Sequence, residues 1–282
     1  MAHTVHLLLL SPPTPMKPVY FLSDAHLGCL ALQHRRTQER RLVNFLDSIK
    51  DTAGAVYLLG DIFDFWYEYK TVVPRGFTRL LGKLSELTDL GVEVHFFVGN
   101  HDLWQDNYLA EECGVQLHRK ASTIEIGGKV FFLAHGDGLG TRDWKFRTLR
   151  AFFHSRICQV LFSSLHPRWG IAFGRQWARH SQLKHQRDGE PSFMGEEREE
   201  LIVFSREYLR THPEVNYFVF GHRHIELNVA LTSPLTHLQA DSEIHDTPQV
   251  LIIGDWISRF TFARFDGKSL TLHNYVEGET QL

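Results

Sequence analysis

The feature that most constrains the fold of this chain is a set of short apolar segments. Each is closely followed by residues of types that can bind metal ions. The segments are rich in β-branched and aromatic residues, which is typical of buried β-strands. Ligands bind outside the carboxyl ends of the strands in open α/β sheets, so we expect these residues to form one site. The segments and the residues that follow them are 19–22 with Asp24 and His26, 55–59 with Asp61, 92–98 with Asn100, His101 and Asp102, 130–134 with His135 and Asp137, and 217–220 with His222 and His224.

Helical periodicity fills the intervals between these strands. Apolar residues on one face predict a helix over 42–49 and a second helix over 77–87, after which Gly91 is placed as a C-cap. A third helix is predicted over about 196–211. Strands that alternate with helices predict an α/β fold with helices layered on the sheet. Three later segments, 250–253, 260–265 and 270–275, predict further strands in an added β layer.

Composition excludes several classes of protein. The net charge is −3 over 282 residues, which argues against a generally basic nucleic-acid binder. The three cysteines, Cys29, Cys113 and Cys158, have no CxxC spacing, which excludes a disulfide framework and a cysteine-rich zinc site. We expect residues 1–18 to form a disordered tail, with Met16 as a second candidate start, and residues 19–282 to form one domain.

The segment from Trp144 to Arg187 is basic and aromatic, with nine Lys or Arg residues and no Asp or Glu. Apolar residues at helical spacing on both sides of Pro167 predict a helical hairpin, inserted as a cap over about 143–190. Three interpretations compete: a core-packing hairpin with a solvated basic face, which suits most of the aromatic residues; a nucleic-acid surface; and a membrane-facing cap that accepts acyl chains. A metal site beside an apolar, cationic cap favours an anionic amphiphile as substrate, and we expect no nucleic acid as partner.

The order of the motifs, DxH, GD, GNHD, H and GHxH, resembles the calcineurin-like metallophosphoesterase family over about residues 24–224. The resemblance implies an α/β sandwich of two β-sheets flanked by helices, with a helical cap insertion. It also implies hydrolysis of a phosphoester or phosphoanhydride by water activated between two divalent metal ions. The implied ligands are Asp24, His26, Asp61 and His224 for one ion, and Asp61, Asn100, His135 and His222 for the other, with Asp61 as the bridge.

The choice of metal stays open at this point, because these ligand types accept Mn²⁺, Fe or Zn²⁺. In the family, the histidine at the position of His101 is not a ligand; it lies near the phosphate and is oriented by the aspartate at the position of Asp102. The alternative is that His101 only positions Asn100. Asp64 and Asp137 either support the ligands from behind or have solvated or capping roles, and Asp255 and Trp256 are open to a strand-capping role.

A narrower resemblance rests on DAHLG, GDIFDFW, GNHDLW, HGDG, the helical insertion and GHRH. Together they look like the UDP-2,3-diacylglucosamine diphosphatase (pyrophosphohydrolase) branch of lipid A biosynthesis. That branch releases UMP and 2,3-diacylglucosamine 1-phosphate, usually with Mn²⁺, and is cytoplasmic or peripheral on the cytoplasmic face of the inner membrane. The cap would house the acyl chains and meet the membrane, and the candidate polar contacts in it are Asp143, Arg179, Ser181 and Lys184.

One residue departs from that branch, because its best-known members have Arg where this chain has His101. Two alternatives therefore stand beside the main hypothesis. One is a soluble metal-dependent phosphodiesterase or phosphatase that acts on a nucleotide, nucleic acid or phosphoprotein in a polar, open site. The other is a non-catalytic scaffold on the same fold, against which the complete set of ligands argues.

Overall fold

The computed structural model describes residues 16–32, 34–141, 144–188, 192–231 and 247–277. The predicted tail lies outside the described residues except for its last three positions, and Asp143 lies outside them as well. In the part of the chain that is described, two β-sheets pack face to face and helices cover their outer surfaces. The expected α/β sandwich is confirmed.

The first sheet has six strands in the order β11-β10-β1-β2-β3-β4. Strands β1 to β4 run parallel, and β10 and β11 continue the sheet antiparallel beside β1. Its strands are β1 (Val19–Leu22), β2 (Ala55–Leu59), β3 (Glu93–Phe97), β4 (Gln116–His118), β10 (Thr261–Phe265) and β11 (Leu270–Asn274). The helices that connect its parallel strands are α1 (Arg35–Ile49), α2 (Thr78–Asp89) and α3 (Tyr108–Cys113).

The second sheet has five strands in the order β5-β6-β7-β9-β8, of which β6, β7 and β9 are parallel. Its strands are β5 (Ser122–Ile126), β6 (Lys129–Ala134), β7 (Tyr217–Phe220), β8 (Glu226–Ala230) and β9 (Gln249–Ile253). Helices α4 (Trp144–His154), α5 (Arg156–Ser163), α6 (Pro167–Asp188) and α7 (Glu200–Leu209) lie between β6 and β7 in the sequence.

All eight predicted strands are confirmed, but the added β layer predicted for the last three is wrong. Strand β9 pairs with β7 inside the second sheet, and β10 pairs with β1 inside the first. These pairings satisfy backbone groups that would otherwise lie along open edges of the two sheets. The predictions missed β4, β5, β8 and α3, which are short or alternate with exposed residues.

Three apolar clusters hold the layers together. The cluster between the two sheets joins residues such as Phe21 and Tyr57 of the first sheet to Phe131 and Tyr217 of the second. A second cluster packs α1 and α2 on the outer face of the first sheet. A third packs α7 on the outer face of the second sheet. The layers run helix, sheet, sheet, helix, and this brings the carboxyl ends of the parallel strands in both sheets to one place.

The cap contains three helices instead of the predicted hairpin, because extended backbone at Ser155 separates α4 from α5. Its apolar residues are also more exposed than the core-packing interpretation requires: Ile157 is 73% exposed and Trp169 is 69% exposed. Cys158, Phe162 and Ala178 are buried. Within the described residues, no helix has both the length and the apolar character needed to cross a membrane.

The packing of α1 gives a stability test at Phe45, which is fully buried and contacts the rings of Tyr20, Trp256 and Phe262. We expect Phe45→Ala to lower the free energy of unfolding by about 3–5 kcal/mol, because it leaves a cavity between α1 and the first sheet. Urea unfolding followed by circular dichroism measures the change. The exposed Leu90 is the matched control, and a Phe45→Ala variant as stable as Leu90→Ala would contradict this packing.

Candidate metal centre

The seven predicted ligands meet where the carboxyl ends of β1, β2 and β3 approach those of β6 and β7. Two groups of side chains have potential ligand atoms within 4.8 Å of one another: Asp24 with His26 and His224, and Asp61 with His135 and His222. Each group contains three of the four residues in one of the two predicted ligand sets. A third group joins His26, Asp61 and His101, which the sequence analysis did not anticipate.

The backbone of these loops is in an unusual conformation. Five of the predicted ligands have positive φ angles between 42° and 65°, namely Asp24, His26, Asp61, His222 and His224. Side chains other than glycine rarely adopt this left-handed region, and such residues cluster at functional sites where the surrounding structure enforces the conformation. The left-handed backbone therefore coincides with five of the seven predicted ligands, and two residues outside the motifs, Phe77 and Phe260, share it.

Two glycines allow the loops to approach one another. A Cβ atom on Gly99 would lie 2.5 Å from the backbone nitrogen of Asp61, and one on Gly221 would lie 2.5 Å from Asp24 Oδ2. Neither distance is possible for a real side chain, so only glycine fits immediately before Asn100 and His222.

Asp61 occupies the position between the two groups. Its Oδ2 atom lies 3.3 Å from His135 Nε2 and 3.7 Å from His26 Nε2, so one oxygen faces both groups. Its other oxygen, Oδ1, accepts a 2.8 Å hydrogen bond from the backbone N–H of His101. That bond fixes the carboxylate with Oδ2 pointing into the site, which is the orientation that a bridging ligand needs.

In three of the imidazole rings, those of His26, His135 and His224, the Nδ1 atom faces an oxygen atom of a neighbouring residue. His135 Nδ1 donates to the backbone oxygen of Leu59 at 2.9 Å, which leaves Nε2 facing Asn100 Oδ1 at 3.2 Å. His26 Nδ1 lies 3.5 Å from Asp64 Oδ1, and His224 Nδ1 lies 3.9 Å from Asp255 Oδ2. The hydrogen bond of His135 selects its tautomer and orients its ring, while the carboxylates of Asp64 and Asp255 lie beside the rings of His26 and His224 at longer distances.

The carboxylates of Asp24 and Asp61 are both buried in the site. Burial opposes ionisation of Asp24, yet the nearby imidazoles of His224 and His26 lower its pKa to about 2. Burial opposes ionisation of Asp61 too, but His135 and His101 hold its pKa well below the usual range. The pKa of His135 responds in the opposite sense, because Asp61 outweighs burial and raises it to about 10.

These properties fit divalent metal ions. Asp24 Oδ1 is buried and lacks a hydrogen bond of normal geometry within the described part of the chain; its nearest imidazole nitrogens are 3.3 Å and 3.8 Å away. The donor set of carboxylate, imidazole and amide oxygen suits Mn²⁺, Fe and Zn²⁺. A carboxylate that stays ionised without full hydrogen bonding needs a cation beside it, and a divalent ion supplies one.

His101 is oriented by a different aspartate from the one that the sequence indicated. Its Nδ1 donates to the backbone oxygen of Asp64 at 2.9 Å and lies 3.8 Å from Asp64 Oδ1. The carboxylate of Asp102 instead accepts hydrogen bonds from the backbone N–H groups of Gly99 and Ile62, at 2.7 and 2.8 Å. The expected role of Asp102 toward the imidazole is therefore wrong: Asp102 fastens the GNHD loop to the loop of Asp61, and Asp64 supports His101.

Sequence reasoning missed the residue that anchors the GHRH loop. Arg223 lies between His222 and His224, and its guanidinium makes two contacts, at 2.8 and 3.2 Å, with the carboxylate of Glu199. Glu199 is 0% exposed and directly precedes α7. Nothing in the sequence distinguishes it from the other glutamates around it, so no signal pointed to this pair.

Contacts in the structure define the roles of Asp137 and Trp256. Asp137 pairs with Arg150 of α4 at 2.6 Å and so joins the loop after β6 to the cap. The backbone N–H of Trp256 donates to the backbone oxygen of Asp24 at 3.0 Å, so the segment after β9 supports the site as well as ending a strand.

Beside the metal site, the cap covers an apolar cavity of about 450 Å³. Asn100 and His101 line it together with apolar residues of the core loops and the cap, among them Phe65, Trp104, Phe162, Trp177 and Ala178. Of the proposed polar contacts in the cap, Arg179 is exposed on α6, and the side chains of Asp143, Ser181 and Lys184 lie outside the described residues.

The buried pair behind the GHRH loop gives a second test. Removal of one partner from a buried ion pair leaves an uncompensated charge, so we expect Glu199→Ala to lower the free energy of unfolding by about 3 kcal/mol. We also expect weaker metal binding, since Arg223 no longer holds His222 and His224. Chemical denaturation and metal analysis of the purified protein measure both effects. Glu197→Ala is the control because Glu197 is 90% exposed; equal behaviour of the two variants would contradict the anchoring role.

Comparison with known proteins adds four findings. The model of the calcineurin-like phosphoesterase family matches residues 17–226. The UDP-2,3-diacylglucosamine hydrolase of Porphyromonas gingivalis is 40% identical over 93% of this chain and 98% of its own length. The protein of the same name from Hahella chejuensis is 26% identical over 91% of this chain and 97% of its own. A solved phosphoesterase from E. coli, YfcE, is 12% identical over 91% of this chain and 92% of that chain, with a TM-score of 0.40.

Proposed function

We propose, from the premise that this chain belongs to the calcineurin-like phosphoesterase family, that it hydrolyses the pyrophosphate bond of UDP-2,3-diacylglucosamine. The products would be UMP and 2,3-diacylglucosamine 1-phosphate. The observation that carries the proposal is the direct contact between the candidate metal centre and the apolar cavity under the cap, which we call the acyl cavity, since Asn100 and His101 belong to both. An amphiphile with a phosphoanhydride next to its acyl groups matches that juxtaposition. The name carried by the 40% identical relative supports the same substrate.

We propose two divalent metal ions, Mn²⁺ in the first instance, as cofactors. Asp24, His26, Asp61 and His224 would hold one, and Asp61, Asn100, His135 and His222 the other. When bound, two such ions lower the pKa of water and neutralise charge on phosphoryl oxygens. The protein itself supplies the framework: Asp61 presents Oδ2 to both groups, and the Nδ1 contacts of His26, His135 and His224 direct their Nε2 atoms inward.

His101 is proposed to stabilise the charge that develops on the phosphoryl group. Asp64 holds its Nδ1, and the ring lies at the wall shared by the metal centre and the acyl cavity. A leaving group that is itself a phosphate has a second pKa of about 6, so it needs little protonation. Charge stabilisation by His101 is therefore a better assignment than proton donation.

The exposed apolar and basic residues of the cap favour contact with a membrane surface. Trp144, Ile157 and Trp169 are all more than two-thirds exposed, and the same helices carry exposed arginines such as Arg156 and Arg168. Amphipathic helices of this composition bind anionic lipid surfaces. We propose that the protein works at the cytoplasmic face of the inner membrane, where its acylated substrate would lie. The apolar cavity disfavours a nucleotide or phosphoprotein substrate, and the complete ligand set disfavours a scaffold.

The primary test is product analysis by mass spectrometry after incubation of the Mn²⁺-loaded protein with UDP-2,3-diacylglucosamine. We expect UMP and the acylated sugar 1-phosphate from the wild type, and no turnover from Asp61→Ala, which lacks the oxygen that faces both metal groups. Asp106→Ala, at an exposed carboxylate away from the site, should keep full activity. Normal turnover by Asp61→Ala would refute the metal mechanism, and cleavage of bis(p-nitrophenyl) phosphate alone would refute the lipid assignment.

A second test fills the acyl cavity. Ala178 is buried on α6 and lines this cavity, so Ala178→Leu should obstruct the acyl chains and lower kcat/KM for UDP-2,3-diacylglucosamine by about tenfold or more. Turnover of bis(p-nitrophenyl) phosphate, which has no acyl chain, should change little. Ala172→Leu makes the same change at an exposed position of α6. If both variants keep wild-type efficiency toward the lipid, the acyl chains bind elsewhere.

A further inference from the structure

A second cleft, of about 330 Å³, lies beside the candidate metal centre and differs in character from the acyl cavity. It begins at Leu27 and Gly28, which follow His26 in the chain. We call it the arginine cleft, because its walls carry Arg35, Arg36, Arg75, Arg79 and Arg175. Helix α6 borders both spaces, since Gly174 and Ala178 line the acyl cavity and Arg175 lines the arginine cleft.

The positive charge of this cleft is poorly balanced. Glu39 is the one carboxylate among its lining residues; it lies 3.9 Å from Arg79 and also accepts a hydrogen bond from the backbone N–H of that residue. Arg35, Arg36, Arg75 and Arg175 have no carboxylate within 4 Å in the part of the chain that the structure describes. Like charges held together without counterions repel one another, which an anionic ligand would relieve.

Of the arginines in the cleft, Arg175 is the one that most strongly indicates a ligand-binding site. It comes from the cap, is half-buried, and its guanidinium donates a 3.3 Å hydrogen bond to the backbone oxygen of Arg75 across the cleft. Burial and the neighbouring guanidinium of Arg35 lower its pKa, while Asp64 opposes that shift.

We propose that the arginine cleft binds the uridine monophosphate half of the substrate and holds UMP after cleavage. This inference rests on the proposed function, which places the acyl half in the acyl cavity and the phosphoanhydride at the metal centre. Guanidinium groups form paired hydrogen bonds with phosphate oxygens, donate to carbonyl groups such as those of uracil, and stack on flat rings. The volume lies within the range of small-ligand sites.

The test measures UMP binding by isothermal titration calorimetry and steady-state kinetics for Arg35→Gln/Arg175→Gln. Each lost charge-assisted hydrogen bond weakens binding by about tenfold, so we expect at least that loss in UMP affinity and a matching rise in KM for UDP-2,3-diacylglucosamine. The turnover of bis(p-nitrophenyl) phosphate should be unchanged, which shows that the metal centre is intact. Arg40→Gln/Arg210→Gln is the matched control, because both arginines are exposed and neither lines the cleft or belongs to the cap.

The outcomes separate this inference from the proposed function. If the wild type releases UMP from the lipid substrate but the double variant binds UMP as well as the control does, the cleft assignment is wrong and the function stands. If the wild type forms no UMP, the proposed function fails, and the calorimetry still reports on the cleft. Inorganic phosphate that binds as tightly as UMP would overturn the nucleotide assignment. So would a loss of binding to phosphatidylglycerol vesicles with unchanged UMP affinity.

Discussion

The burial of two ionised carboxylates, Asp24 and Asp61, is the constraint on which the rest of the structure depends. Removing charge from water is costly, and the fold reduces that cost by surrounding the carboxylates with imidazoles and backbone N–H groups. Such an arrangement requires strands from two different sheets to end at the same place. It also requires left-handed backbone at most of the residues involved, so the loops are strained where the chemistry is concentrated.

The strained loops are held in place by Asp102, Glu199 and Asp64, none of which is a predicted metal ligand. Asp102 joins the GNHD loop to the loop after β2, and the Glu199–Arg223 pair joins the GHRH loop to α7. Asp64 supports two imidazoles at once. The Glu199–Arg223 pair connects the metal centre to α7, and the ion pair between Asp137 and Arg150 connects the loop after β6 to the cap. The geometry of the site therefore depends on both sheets of the sandwich and on the helices beside them.

The sequence was sufficient to predict the strands that carry the ligands and the convergence of those ligands, because both depend on short local patterns. Each β-strand that carries a ligand is a compact apolar run, and the ligand lies within a few residues of its end. The cap was predicted less well. The break at Ser155 and the exposure of Ile157 and Trp169 depend on how the helices meet the domain, which periodicity alone does not contain. The Glu199–Arg223 pair was missed for the same reason, since its partners are 24 residues apart.

The glycines at 99 and 221 have a consequence for how a metal-free form of this protein can be obtained. Neither has a positive φ, so an alanine at either position is compatible with the backbone torsions. The added methyl group would instead collide with the loop of Asp61 or the carboxylate of Asp24. All seven donor groups would remain in the chain, while their mutual alignment would be lost. A single added carbon atom outside the coordination sphere would therefore change the geometry of the sphere and leave its composition unchanged.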